Sequence, residues 1–286
     1  MGLFLQFAAP ALAGIFVGVM SGLLGVGGGT IMVPIFRLAF GMSPLASTAT
    51  SLFAIIPTSI SGVASHMRAK TCVPKLGVAL GVGGALTSPV GVWLASVSPG
   101  WLVIVVAALV VGLSAYKMFK KALKAPRVAL SCRTAHTADA AATGALADAS
   151  EPASRQSKPD LTRKQYLQGA GIGLVAGLAS GYVGVGGGFI MVPMMLAILS
   201  IPMSLASGTS LIAIMILAIP GVIEQAILGN INYFAGISIV VGTIPGAVIG
   251  ARLVRVIPER QLRFAFGGFL LVAAVLLMLN EFGILG

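Results

Sequence analysis

The stretch SGLLGVGGGTIMVP, residues 21–34, places Gly22, Gly25, Gly27, Gly28 and Gly29 inside an otherwise apolar segment. Each glycine costs a helix about 0.8–1 kcal/mol relative to alanine, so the segment is a poor candidate for one continuous helix. Residues 180–193 read SGYVGVGGGFIMVP and match the first stretch at 11 of 14 positions. The chain breaks in the same way twice.

The match extends at a constant spacing of 159 residues. Thr50, Ser51 and Leu52 fall on Thr209, Ser210 and Leu211, Gly62 on Gly221, Gly77 on Gly236, Gly91 on Gly250 and Pro99 on Pro258. No gap is needed, so the chain is a duplicated unit, with repeats over residues 1–121 and 162–286. The joint, 122–161, is rich in Ala, Ser, Thr and charge. Such a composition cannot bury enough apolar surface to order itself, and a disordered linker is expected.

The 286 residues are 57% hydrophobic and 9% charged, with a mean hydropathy of +1.04. Soluble domains carry about 25% charged residues, so an integral membrane protein is indicated. Lipid cannot satisfy the backbone of a lone strand, which makes the expected class all-α. Each repeat reads as a Gly-broken helical hairpin, about 3–24 with 30–41 and 166–183 with 189–200. Three further spans follow in each, near 45–65, 76–97 and 101–119, and near 204–226, 233–255 and 262–281. That gives about 8–10 transmembrane segments, since a span needs about 20 residues. The opening MGLFLQFAAPALAG mimics a signal peptide but lacks its basic start, and a retained helix is expected.

A net charge of +11 would suit a nucleic-acid binder, but the charges cluster between apolar runs. Cytoplasmic placement of positive loops explains them better, and no nucleic-acid partner is expected. Arg68, Lys70 and Lys75 lie between the third and fourth segments of the first repeat, where the second has uncharged LGNINYF. Arg252, Arg255, Arg260 and Arg263 flank the next connection of the second repeat, where the first has SVSPG. The basic clusters have swapped ends, as two inverted-topology repeats in one membrane would require. The expectation is a multi-pass inner-membrane protein with a cytoplasmic linker and both termini outside. Arg37 is the one basic residue this leaves near the outer face.

A hairpin that returns to its own face needs a tip. A second arm of about 12 residues reaches about 18 Å at 1.5 Å per residue, so the tip is expected near the middle of a hydrocarbon core about 30 Å thick. Broken backbone at that depth must be buried in protein or line a cavity. Glycine leaves its N–H groups approachable, and a new helix starting at the tip aims unsatisfied N–H groups and a positive dipole end at it, which favours an anion. The candidate substrate-binding residues are therefore Gly25, Gly27, Gly28, Gly29 and Thr30, with Gly184, Gly186, Gly187 and Gly188. Thr50, Ser51, Thr209 and Ser210 join them, because inversion brings each hydroxyl pair to the depth of the opposite tip; the alternative is a hydroxyl bonded back to its own helix. Such partial charges make a weak site, with dissociation constants from tens of micromolar to millimolar.

Other residues carry less. Gly14, Gly18 and Gly22, and Gly169, Gly173, Gly177 and Gly181, recur every four residues and read as faces for close helix packing. Glu224 is the only carboxylate inside an apolar run; an intramembrane acid is a candidate proton site, although a snorkelling residue near the outer end explains it equally well. His66 reads as interfacial. Cys72 and Cys132 share no close spacing, and neither a disulfide, a metal nor a cofactor is expected. GVGGGT lacks the lysine and spacing of a phosphate-binding loop.

With GLLGVGGGTIMVP and GYVGVGGGFIMVP followed by ATSL and GTSL, both repeats resemble the sulfite exporter TauE/SafE family. The resemblance implies an inner-membrane carrier for sulfur-containing anions such as sulfite, sulfoacetate and related organosulfonates. Ala49 stands where the second repeat has Gly208, which leaves the Thr and Ser pair intact. An anion channel, or a carrier of another small organic or inorganic anion, is the alternative. An enzyme is not expected, because hydrolysis would want a Ser and His pair or paired carboxylates within the membrane. Direction is not written in the residues, but an inside-negative potential expels anions at about 2.3 kcal/mol per charge per 100 mV. Oligomeric state cannot be read from the sequence.

Overall fold

A computed structural model of the chain describes residues 2–99, 163–183 and 186–281, with positions 101, 102, 105, 106, 109, 112–116 and 120 between them. The expected linker and Gly184 lie outside the described residues. The described residues are helical and contain no strand. The first repeat supplies α1 (Gly2–Leu24), α2 (Gly29–Phe40), α3 (Pro44–Arg68) and α4 (Pro74–Val97). The second supplies α5 (Arg163–Val183), α6 (Gly188–Ile198), α7 (Met203–Ile227), α8 (Tyr233–Leu253) and α9 (Glu259–Glu281). Among the described residues, α3, α4, α7 and α8 are long and apolar enough to cross a membrane.

Their ends follow local rules. Ser43 caps α3 by accepting from Ala46 N–H at 3.3 Å, with Pro44 at the first helical position, where its missing N–H costs nothing. Asn232 caps α8 by accepting from Ala235 N–H at 3.1 Å. The start of α7, at Pro202, has no side-chain cap of its own; instead Glu259 Oε1 accepts from Met203 N–H at 3.1 Å. Arg263 pairs with the same carboxylate oxygen at 2.7 Å.

The glycine faces do what their spacing requires. Gly14, Gly18 and Gly22 of α1 lie against the carbonyls of Ile239, Thr243 and Ala247 of α8. Gly173, Gly177 and Gly181 of α5 lie against the carbonyls of Leu80, Gly84 and Ser88 of α4. The second set is the first with the repeats exchanged, so each half packs its first helix on the other half's fourth. A Cβ at any of these glycines would overlap a neighbouring carbonyl oxygen. The opposite face of α4, at Val82, Leu86, Val90 and Trp93, is exposed and apolar. Small residues inside and large apolar residues outside reverse the soluble pattern, as lipid demands.

Contact order also gives the running direction of each helix. Thr58 and Thr243 share a hydrogen bond of 2.6 Å, Ser61 donates to the Ile244 carbonyl at 2.8 Å and Ser65 to the Val248 carbonyl at 3.5 Å. These contacts advance together, so α3 runs parallel to α8, and α1 joins them through the glycine contacts. Arg68 and Arg252 consequently come to one end of the bundle. Gly62 meets Leu211 and Gly221 meets Leu52, so α3 runs against α7.

Gly177→Val tests this packing. It forces backbones apart, at the upper end of the roughly 1–3 kcal/mol that overpacking costs. Monodisperse yield in detergent should fall sharply, whereas Gly171→Val, at a position with nothing within 4 Å, should be tolerated.

Candidate functional site

Both breaks fold into matching tips. Gly28 and Gly187 are the N-cap residues of α2 and α6, with φ of 83° and 67°. Only glycine adopts such angles without strain. The helical ladders begin with Ile31 and Met32 donating to the Gly28 carbonyl, and Ile190 and Met191 donating to that of Gly187. The N–H groups of Gly29 and Thr30 precede the first ladder bond of α2, as helix starts require; in α6 the Gly188 N–H instead turns back to the Gly186 carbonyl at 2.8 Å. Neither N-cap residue supplies a side-chain bond.

The tips meet. A Cβ added to Gly188 would lie 2.5 Å from the Gly25 carbonyl oxygen and 2.8 Å from Val26 Cα. A Cβ on Gly27 would lie 3.1 Å from Ile214 and 3.4 Å from Ile55, and one on Gly186 would lie 2.9 Å from Ile55 and 3.5 Å from Ile214. Ile55 and Ile214 are counterparts near the middle of α3 and α7, so the tips stand at half-length of those helices. Gly25, Gly27, Gly28, Gly29, Thr30, Gly186, Gly187 and Gly188 are all buried.

The first arm reaches further than the second. His66, near the end of α3, binds the Gly22 carbonyl of α1, so α1 passes the middle before the chain doubles back to start α2. His66 is fully buried rather than interfacial. Its Nε2 donates to the Gly22 carbonyl at 2.8 Å, since a carbonyl only accepts. Its Nδ1 forms a hydrogen bond of 2.7 Å with the Thr71 hydroxyl. At the same places in the second repeat, Asn230 Nδ2 donates to Gln225 Oε1 at 2.8 Å. No periodicity in the sequence marks this pair.

The repeated hydroxyls are engaged. Thr209 Oγ1 donates to the Leu205 carbonyl at 2.6 Å and accepts from Val73 N–H at 3.0 Å. Thr50 Oγ1 accepts from Asn232 N–H at 3.0 Å. Val73 and Asn232 are the N-cap residues of α4 and α8, so each threonine fastens the start of the other repeat's fourth helix. Ser210 Oγ shares its one hydrogen between the Ser207 carbonyl at 2.8 Å and the Gly25 carbonyl at 2.7 Å, which ties the first tip to α7. Ser51 Oγ donates to the Thr48 carbonyl at 3.0 Å. Glu224, in the last turn of α7, has one carboxylate oxygen buried without a partner. A cavity of about 160 Å³ between Ser43, Thr48, Ser96 and Ser98 opens at the end of the bundle where α3 starts, and no tip residue lines it.

A helical bundle with apolar outer faces and paired, buried helix breaks is a multi-pass membrane protein. The sulfite exporter TauE/SafE family model matches residues 10–277, and the chain belongs to that family of membrane transporters. It is 25% identical to the "Probable membrane transporter protein YunE" of Bacillus subtilis (strain 168), covering 88% of this chain and 89% of that one. It is 26% identical to YjnA of the same organism, which carries the same description, over 93% of this chain and 98% of that one. YdhB is 26% identical over 92% and 96%. No solved structure matches the chain.

Replacing Thr50 and Thr209 together by valine leaves the buried Val73 N–H and the part-buried Asn232 N–H without acceptors. Each orphaned group costs about 1–3 kcal/mol, so the thermal midpoint of the purified protein should drop by several degrees even without ligand.

Proposed function

We propose that the chain is an inner-membrane secondary transporter that exports small sulfur-containing anions such as sulfite, sulfoacetate or a related organosulfonate. The substrate binds near the membrane midplane at the two glycine tips, residues 25–30 and 184–188. The observation that carries this reading is the meeting of two helix starts, one from each repeat, at the half-length of α3 and α7. Helix N-termini offer N–H donors and a positive dipole end to an anion. Thr50, Ser51, Thr209 and Ser210 serve the site by holding the tips and the adjoining helix starts. Complete burial of the tips favours a carrier that occludes its substrate over an open channel. The family name supplies the sulfur anion, and the membrane potential favours export without a coupled ion; Glu224 remains the candidate if a proton is coupled.

The repeats are inverted in the membrane. The parallel set α1, α3 and α8 and the reversed course of α7 support this arrangement, with the Arg68 and Arg252 ends cytoplasmic by the positive-inside rule. The linker is then cytoplasmic and both termini are outside. Single cysteines at Ser98 and Asn230 should label from outside and one at Ser150 from inside only. Labelling of all three from the same side would refute the inversion.

Substrate is tested by thermal shift of the purified protein against sulfite, sulfoacetate, sulfate, taurine and phosphate. Stabilisation by sulfite or sulfoacetate at tens of micromolar to millimolar is expected. A response to phosphate alone would overturn the sulfur reading. In vesicles, Gly28→Val and Gly187→Val should cut flux more than tenfold, since a branched residue is strained at these φ values.

A further inference from the structure

Among the described residues, six buried hydroxyls have no hydrogen-bond partner: Ser21, Thr30, Ser47, Ser59, Ser88 and Ser180. An unpartnered buried hydroxyl is a standing cost, so each invites an explanation. The duplication sorts them. Ser47, Ser59 and Ser88 fall on Ala206, Ala218 and Ala247, and Thr30 falls on Phe189. Ser21 and Ser180 fall on each other, so the same unpartnered hydroxyl stands at the same place in both repeats.

That place is the side of each tip. A Cβ on Gly28 would lie 3.5 Å from Ser21 Cβ, and a Cβ on Gly187 would lie 3.3 Å from Ser180 Cβ. Both serines are fully buried and sit beside helix starts that no side chain caps. Each could bond back to the carbonyl four residues earlier, as Thr58 does to Ala54 at 2.7 Å and Ser238 to Phe234 at 2.7 Å. Neither does. The midline between the tips, by contrast, is occupied by Ile55 and Ile214, both fully buried.

We infer that Ser21 and Ser180 are ligand-binding residues, each forming with the first turn of α2 or α6 a half-site for a compact sulfur oxyanion, on the α1 and α5 sides of the two tips. The inference rests on the proposed function and moves the anion off the isoleucine-filled midline. Every group that meets the ligand in these half-sites is a neutral donor, which suits an ion whose charge is spread over several oxygens, as in sulfite or a sulfonate. Thr30 adds a second hydroxyl near the first half-site, and Phe189 removes it from the second.

The test is isothermal titration of the full chain in detergent with sulfite and with sulfoacetate, together with thermal midpoints without ligand. Ser21→Ala/Ser180→Ala should weaken binding about 10- to 100-fold, as expected for hydrogen bonds to an ion. Its ligand-free midpoint should hold or rise, because the change deletes buried unpartnered groups. Ser47→Ala, which deletes one away from the tips, should bind normally. Unchanged affinity in the double variant would overturn the inference and leave the proposed function standing. So would a ligand-free midpoint that falls in step with affinity, or an equal loss in Ser47→Ala. If the unmodified protein binds neither anion, the proposed function fails and the inference with it.

Discussion

A chain that breaks its helix at membrane depth must wrap the break in protein, because lipid offers nothing to a free N–H or carbonyl. Here each repeat supplies part of the wrapping of the other's break. The Gly25 carbonyl of the first tip takes the Ser210 hydroxyl of the second repeat, and Gly188 packs where only a residue without a side chain fits, against Gly25 and Val26. The exchange of α1 onto α8 and α5 onto α4 follows from the same need, since it draws the two tips together. Each tip is thus packed partly by its own repeat, as Gly28 is by Val17 and Ser21, and partly by the other.

Comparing counterpart positions shows which chemistry that arrangement holds fixed. Thr50 with Asn232 N–H and Thr209 with Val73 N–H make the same bond twice. His66 with Thr71 and Gln225 with Asn230 solve the same problem with different side chains, so a hydrogen-bonded polar pair is what both sites share. Lys70 and Gly229, counterparts just past α3 and α7, both adopt positive φ. Lysine is strained there where glycine is not, but it adds a positive charge at the end of the bundle that Arg68 and Arg252 share.

Much of this was legible in the sequence. The lengths of the apolar runs placed the described helices α1–α9 within a few residues, and the four-residue glycine rows marked the close faces, because both depend on short-range spacing. The span expected near 101–119 lies largely outside the described residues. The tips were legible because three consecutive glycines serve no helix. Thr50 and Thr209 were visible as a repeated pair, but the N–H groups they accept from lie in the opposite repeat, and sequence spacing says nothing about such a contact. His66 was misplaced for a related reason: a neighbouring Arg68 and Lys70 suggest an interface, while the Gly22 carbonyl that draws the ring inward belongs to another helix. Ser21 and Ser180 open the two matching stretches, but nothing in the sequence singles them out from the other serines of the apolar runs. Their missing partners could only be seen once the helices were assembled.

The absence of charge among the side chains named around the tips has its own logic. Val17, Ser21, Ile55, Ala176, Ser180, Ser207, Ser210, Ile214 and Leu217 are all neutral. A lysine or arginine there would hold an anion more tightly, but whenever the site emptied it would leave an unpaired ion out of water, at several kcal/mol. A carrier must pass through that empty state in every cycle. An unfilled hydroxyl or N–H costs only about 1–3 kcal/mol, and a helix end adds about 0.3–2 kcal/mol of attraction when the anion arrives. In the proposed site, donors of this kind would bind weakly enough to release an anion and would cost less than a buried charge when empty.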